Sequence, residues 1–439
     1  MLPVLATGEF LALEAEIQTL TQVRERLVTA GGFDMRIAME ADALMGSSDL
    51  TRLAFERRHK SEKLRVALEG IGARIWEAIK AFFKKIGEWI RKAIDFLFGK
   101  RGVSEEKVKE FEQTAEEFEA GMNEFNDGLQ QMTREVHADN TTDDLLKEAI
   151  ASFESGMSGP IKAVISGGPG VLSPYNKAVL HLVIRMRDDP VQMVGKRLRY
   201  MEEWLEKAWQ VASKYDADVD GLSSPSNSET VTDAINHLKK VNDAAIRADY
   251  SHDVGRGLLS DPELVKEEIK TIGDIRSSPP SNASGSLRGN VKIVTRRIAE
   301  ILEDAYVKLG GNLDKTLAEF KRLGANFDKF KDRLENKLKE AQADQQHAAR
   351  EKVVNLLMDG CRKFAEEVQL ITAALMTITT HYRDSLDAVL ALQKMLIETF
   401  GKALSHTDVK GTKFAAGLEE KLGRAKAAHA EAQKIRASI

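Results

Sequence analysis

The residues that could do chemistry in this chain are few and widely spaced. Its nine histidines are His59, His137, His181, His237, His252, His347, His381, His406 and His429. None has a partner at the spacing of an H-E-x-x-H helix, which needs two imidazoles on one face to hold a zinc ion. Each therefore reads as a packing or surface residue. His381-Tyr-Arg-Asp384 superficially resembles a kinase catalytic loop, but no downstream asparagine and no glycine-rich nucleotide loop accompany it. Gly167-Gly-Pro-Gly170 is the one glycine cluster that could cradle a phosphate. Pro169 removes an N–H donor there and no Lys-Ser/Thr follows, so the cluster reads as a turn. The single cysteine, Cys361, excludes an internal disulfide and a cysteine-based metal cage, and no nucleophile motif surrounds it. Asn140-Thr-Thr142 and Asn282-Ala-Ser284 match glycosylation sequons. The N-terminal run M-L-P-V-L-A-T-G-E-F lacks the basic region of a secretory signal, so both sequons are read as chance. No catalytic residue, cofactor or metal is expected, and the chain is read as not an enzyme.

Binding chemistry is stronger than catalytic chemistry. From Ile71 to Arg101 the chain is basic, aromatic and amphipathic. Ile71, Ile75, Ile79, Phe82, Ile86, Trp89, Ala93 and Leu97 recur at steps of three and four, which places them on one helical face. Eight bases against three acids give this stretch a charge of +5 and leave −9 for the remainder of a chain whose net charge is −4. Three readings fit. The helix packs in a core and turns its basic face to solvent or to the chain's own acidic helices. It lies in a membrane interface, with Trp76, Trp89, Phe82, Phe83, Phe96 and Phe98 at the acyl boundary and lysines toward anionic headgroups. Or Arg74, Lys80, Lys84, Lys85, Arg91 and Lys92 meet the phosphates of packaged DNA. Spanning is excluded, because each central Lys or Arg costs roughly 2.5–3.5 kcal/mol in a bilayer.

The elements that must position these residues read as helices. With 439 residues, 30% charged and only 6% aromatic, the composition suits long solvated helices. Phe10, Leu13, Ile17, Leu20 and Leu27 form a heptad seam with Arg24 at the missing position, ended by Gly31-Gly32. Ser104 followed by Glu105 and Glu106 reads as an N-cap, and Phe111, Ala115, Phe118, Met122, Phe125 and Leu129 as the apolar face beyond it. Leu313, Leu317, Phe320, Phe327, Leu334 and Leu338 keep a near-heptad face with Gly324 and Lys331 at the missing positions. Gly221–Ser228 reads as a loop, Gly360 and Gly401 as candidate breaks, and the Ala/Lys/Glu-rich tail from Gly411 as a fraying end. His181–Arg185 is the best strand candidate, although it sits inside a helical run.

One combination narrows the field. Met35-Arg-Ile-Ala-Met-Glu-Ala41 lies between an acidic helix and a basic helix ending W-E-A-I-K-A-F-F-K-K-I-G-E-W-I-R-K. This resembles the internal head (inner body) proteins of giant phiKZ-like tailed phages. The resemblance implies a precursor packaged into the prohead and trimmed by a phage-encoded protease after a small-x-Glu motif. Ala38-Met39-Glu40 matches that motif, with Ala41 as the new N-terminus. Ala12-Leu13-Glu14, Ala54-Phe55-Glu56 and Ala67-Leu68-Glu69 match it too. Position favours Ala38: it follows the di-glycine break, where the chain is expected to be extended and accessible, whereas its rivals fall within predicted helices.

The sequence thus predicts an all-α, elongated, multi-helix protein with long amphipathic helices and a flexible linker. Its segments are an acidic N-terminal propeptide (1–40), a basic amphipathic segment (41–101), a central helical region (102–276), a Ser/Pro/Gly linker (277–290) and a C-terminal bundle or long hairpin (291–439). The expected role is a structural component of the virion interior, made in the host cytoplasm and matured after Glu40. Expected partners are capsid or inner-body proteins, the prohead protease and packaged DNA. The first helix would dock through its seam, and apolar stripes in need of partners would drive homo-oligomerisation. The alternative is a membrane-active helical protein, an injected effector or membrane-remodelling factor, that binds anionic membranes.

Overall fold

The computed structural model describes residues 7–29, 35–45, 60–98, 105–136, 151–152, 155, 164, 174–188, 190–218, 225–252, 262–277, 309–343, 348–405, 407–410 and 412–438. Among the described residues the regular structure is entirely helical. The helices are α1 (Thr7–Thr29), α2 (Met35–Met45), α3 (Lys60–Phe98), α4 (Glu105–Val136), α5 (Pro174–Asp188), α6 (Pro190–Asp218), α7 (Pro225–His252), α8 (Pro262–Ser277), α9 (Gly311–Ala343), α10 (Ala348–Ser405), α11 (Thr407–Lys410) and α12 (Ala415–Ser438).

Proline sets four of the starts. Helices α5, α6, α7 and α8 each open on one, at Pro174, Pro190, Pro225 and Pro262. At that position the missing N–H would have had no helical partner, and the fixed φ is already helical. In sequence each proline follows Ser or Asp, residues favoured just before a helix. The loop expected over Gly221–Ser228 is therefore too long, since Pro225 to Ser228 are helical. His181–Arg185 is helical as well.

The chain forms two compact units, each assembled from three separated segments. Unit 1 takes Met1–Ile94, Met193–Val254 and Lys321–Gln369; unit 2 takes Asp95–Gln192, Gly255–Phe320 and Leu370–Ile439. This differs from the consecutive segments read from the sequence, because helices far apart in the chain supply each other's apolar cover. Of the expected linker, residues 278–290 lie outside the described residues.

In unit 1, α3 and α9 run antiparallel: Gly87 faces Lys331, Arg91 pairs with Asp328 at 3.3 Å, and Ile94 faces Gly324. The two gaps in the heptad face of α9 are thus points of contact. A Cβ at Gly324 would lie 2.0 Å from Ile94 Cδ1, and one at Gly87 would lie 3.3 Å from the Lys331 stem. Helices α6 and α9 run parallel, joined by Glu202–Arg333 at 3.5 Å and Glu206–Lys337 at 3.1 Å. Phe327 of α9 stacks on Phe364 of α10 with centroids 5.1 Å apart. The expected break at Gly360 does not occur: α10 is continuous for 58 residues, through Gly401 as well. Gly360 instead makes room for Met201 of α6, whose sulfur would sit 3.5 Å from an added Cβ.

The Gly324 contact makes a graded prediction. Gly324→Ala should change stability by less than about 1 kcal/mol, since alanine's helix propensity offsets displacement of the flexible Ile94 tip. Gly324→Leu should cost about 1–3 kcal/mol by overpacking, and Ile94→Ala in that background should recover part of the loss. Urea unfolding followed by the fluorescence of Trp76 and Trp89, both buried in α3, reads both effects.

In unit 2, α4 and α12 form a close antiparallel pair. Lys107 donates to the Ser438 carbonyl at 2.8 Å, and Lys413 pairs with Glu135 at 3.4 Å. Between these ends a Cβ at Gly121 would meet Ala425 at 3.4–3.5 Å, and one at Gly128 would meet Leu418 at 3.0 Å. The tail expected to fray is therefore a packed helix: Leu418, Leu422, Ala425, Ala428, Ala432 and Ile435 are buried. Small side chains let the backbones approach closely. That arrangement leaves a low-hydrophobicity segment with enough contact to stay docked. Phe125 of α4 meets Phe400 of α10 at 4.5 Å, and Arg436 of α12 donates to both carboxylate oxygens of Asp387 at 2.8 Å.

Candidate functional site: the processing segment and the basic helix

The small-x-Glu segment lies on α2, an 11-residue helix packed against α1. This corrects the expectation of an extended, accessible chain. Ala38 is 0% exposed, Met39 is 58% exposed, and Arg26 of α1 donates to the Glu40 carboxylate at 2.8 Å. Ala41 is within the helix. The rival motifs at Ala12–Glu14 and Ala67–Glu69 are helical too, and Ala54–Glu56 lies outside the described residues. Backbone accessibility in the folded chain thus does not single out Ala38. A helix forms because Arg26 and the apolar face of α1 give α2 something to pack on.

Helix α1 is itself docked in unit 1. Ile17, Leu20 and Val23 are 0–1% exposed. Arg24 pairs with Glu351 of α10, Thr21 donates to the same carboxylate at 3.4 Å, Glu14 meets Arg362 of α10 at 3.5 Å, and Glu16 accepts from Arg74 of α3 at 3.1 Å. Of the seam residues Ile17 and Leu20 are buried and Leu13 is half-buried, while the side chains of Phe10 and Leu27 lie outside those described. Arg24, at the missing heptad position, is the residue that meets the buried Glu351 carboxylate. Burial raises the Glu14 pKa despite the opposing pull of Arg362.

The basic helix α3 turns its aromatics inward. Trp76 and Trp89 are 1% and 7% exposed, and Phe82 and Phe83 are buried edge to face at 5.4 Å. This corrects the assignment of Trp76 and Trp89 as membrane or DNA contacts: they are core anchors of unit 1. Phe96, Phe98, Lys100 and Arg101 lie outside the residues whose side chains are described. Among the cations, Arg74 is tied to Glu16 and lies 3.8 Å from Glu77, Lys84 lies 4.0 Å from Glu88, and Arg91 meets Asp328. Lys80 and Lys85 are half-buried, and Lys92 is exposed. From Arg74 to Lys92 these charges spread along about 27 Å of helix at 1.5 Å per residue. They form a row interleaved with the chain's own carboxylates and do not converge on one point. The apolar stripe of α9 is likewise buried at Leu313, Leu317, Phe320, Phe327, Leu334 and Leu338.

A buried polar cluster in unit 2 escaped the sequence reading. His381, on α10, is 1% exposed, with the Tyr175 ring of α5 edge-on at 4.4 Å. Ser385 donates its hydroxyl to the His381 carbonyl at 3.0 Å, and its oxygen lies 3.4 Å from Nε2. Among the described residues Nδ1 has no hydrogen-bond partner. Burial, reinforced by Arg276, pushes the imidazole pKa down to about 3. Asp384 lies 3.1 Å from Arg276 of α8 without hydrogen-bond geometry, and burial raises its pKa against the pull of that arginine. Burial, helped by Asp384, pushes Tyr175 up to about 12. Cys361 is also buried, which raises its pKa and keeps it a thiol. Within the unit 2 cluster His381 and Tyr175 are held neutral, unlike an acid–base pair tuned to neutral pH. The histidine's isolation in the sequence was the available signal; only packing shows how deeply it is enclosed.

Among the described residues no group of three or more His, Cys, Asp or Glu is placed to hold a metal ion, and no helix is long and apolar enough to cross a membrane. No protein-family model, curated protein or solved structure matches the chain.

Proposed function

We propose that this chain is a non-enzymatic structural protein of a phage head interior, made as a precursor and matured by cleavage after Glu40. The observation that carries the reading is the placement of Ala38-Met39-Glu40 in a hairpin of two helices, α1 and α2, at the N-terminal side of the helices that build the rest of unit 1. Cleavage there would release α1 with the first half of α2. Residues 1–40 hold six acids against three bases, so their loss takes the net charge from −4 to −1. A less acidic chain is repelled less by packaged DNA. Capsid or inner-body proteins and a prohead protease are the proposed partners. The membrane-active alternative requires Trp76, Trp89, Phe82 and Phe83 to leave the core that buries them.

Intact-mass and N-terminal analysis of the protein from mature particles tests the proposal. A chain beginning at Ala41 is expected. A chain beginning at Met1 or Leu2 overturns it.

A further inference from the structure

Resting on the processing site proposed above, we infer that the α1–α2 hairpin is a latch that shields the Glu40–Ala41 bond until α1 lifts from unit 1. A protease needs several residues of extended backbone in its groove, whereas Met35–Met45 is a continuous helix with Ala38 wholly enclosed. An isolated helix of 11 residues is marginal in water, as helices below about 12–15 residues generally are. The helical state of α2 therefore depends on docking against α1. Helix α1 is held in turn by Ile17, Leu20 and Val23 and by the Arg24–Glu351 and Glu14–Arg362 contacts to α10. Arg26–Glu40 ties the cleavable residue directly to α1. The contacts that seat α1 thus also govern access to the bond, and the opening is local to the hairpin. Where reclosing is faster than cutting, the cleavage rate follows the population of the open hairpin.

A glutamyl-specific endoprotease acting on the full-length chain, with mass spectrometry of the products, measures this access. Cutting after Glu40 in the folded chain is expected to be slower than in the free peptide spanning 34–45 by about a hundredfold or more. Leu20→Ala and Arg24→Gln, both remote from the scissile bond in sequence, should each accelerate it by about tenfold. Cutting after Glu366 and Glu367 in α10 should change little, which separates local opening from loss of the whole fold. Equal rates in protein and peptide would overturn the latch, as would parallel acceleration at Glu40 and at the α10 sites. The assay uses the precursor and a general protease, so its outcome stands apart from the N-terminus found in particles: an intact Met1 there removes the maturation reading and leaves the latch measured.

Discussion

Glu367→Ala is expected to destabilise unit 1 by about 3–5 kcal/mol, the range for breaking a buried ion pair from one side. Glu367 of α10 is 8% exposed and takes the Arg197 guanidinium of α6 in a two-point fork, at 2.9 Å from Nε and 2.7 Å from Nη2. The planar guanidinium matches both carboxylate oxygens at once. Removing the carboxylate leaves that charge in an apolar interface without its bidentate partner. The double replacement Arg197→Met with Glu367→Leu should cost less than either single change, because two well-packed apolar groups need no ionic partner. Glu16→Ala, which breaks the exposed pair with Arg74, should cost less than about 1 kcal/mol. All four tryptophans, Trp76, Trp89, Trp204 and Trp209, belong to unit 1, so urea unfolding followed by fluorescence reports this unit. A Glu367→Ala loss no larger than that of Glu16→Ala would show that the fork is not buried in solution.

Unit 2 should weaken in acid. His381 has an unfolded pKa of 6.5 and a folded one of about 3. The unfolded chain therefore takes up this proton first. Stability is at its full value above pH 6.5, falls as the pH drops below it, and levels off only below the folded value. At 1.36 kcal/mol per pH unit the loss is about 2 kcal/mol by pH 5 and roughly 4 kcal/mol by pH 3.5. His429, hydrogen-bonded through Nδ1 to Gln393 at 3.0 Å, has its pKa lowered by burial and then by Lys394, and so adds to the loss. Asp384 acts in the opposite sense. Its raised pKa means that the fold gains from its protonation as the pH falls from that raised value to the ordinary carboxylate value, which offsets part of the histidine effect there. The clearest window is therefore between pH 6.5 and about 5. Hydrogen exchange in α5, α8 and α12, measured by mass spectrometry across that window, should show protection falling. His381→Leu should flatten the dependence, because Ser385 bonds the backbone carbonyl at 381 and keeps its acceptor whatever the side chain. An unchanged acid profile in His381→Leu would assign the loss to other groups.

The candidate site was legible only in part. The periodicity of Ile71, Ile75, Ile79, Phe82, Ile86 and Trp89 defined the buried face of α3 correctly, since a helix that repeats apolar residues every three to four positions must cover them. It did not say what covers them. A membrane, a DNA surface and other helices of the same chain all satisfy the same stripe, and only the folded chain, in which these residues are buried, selects the last. The segment at Ala38 illustrates the reverse error. Di-glycine upstream suggested an extended chain, yet docking on α1 makes the segment helical.

By itself the sequence determined the helical class and many of the helix boundaries. Both are local properties: residue periodicity, proline at first positions, and Ser or Asp before them act within a few residues of chain. The tertiary structure decided what is settled by residues distant in sequence. It turned the glycines at 121, 324 and 360 into contact points, docked the alanine-rich tail on α4, paired Arg24 of α1 with Glu351, and enclosed His381 beside Tyr175 and Arg276. A gap in a heptad and a lone histidine have no fixed meaning along the chain. Their meaning comes from the side chain that packs against them, and burial, desolvation and close backbone approach exist only once the helices have met.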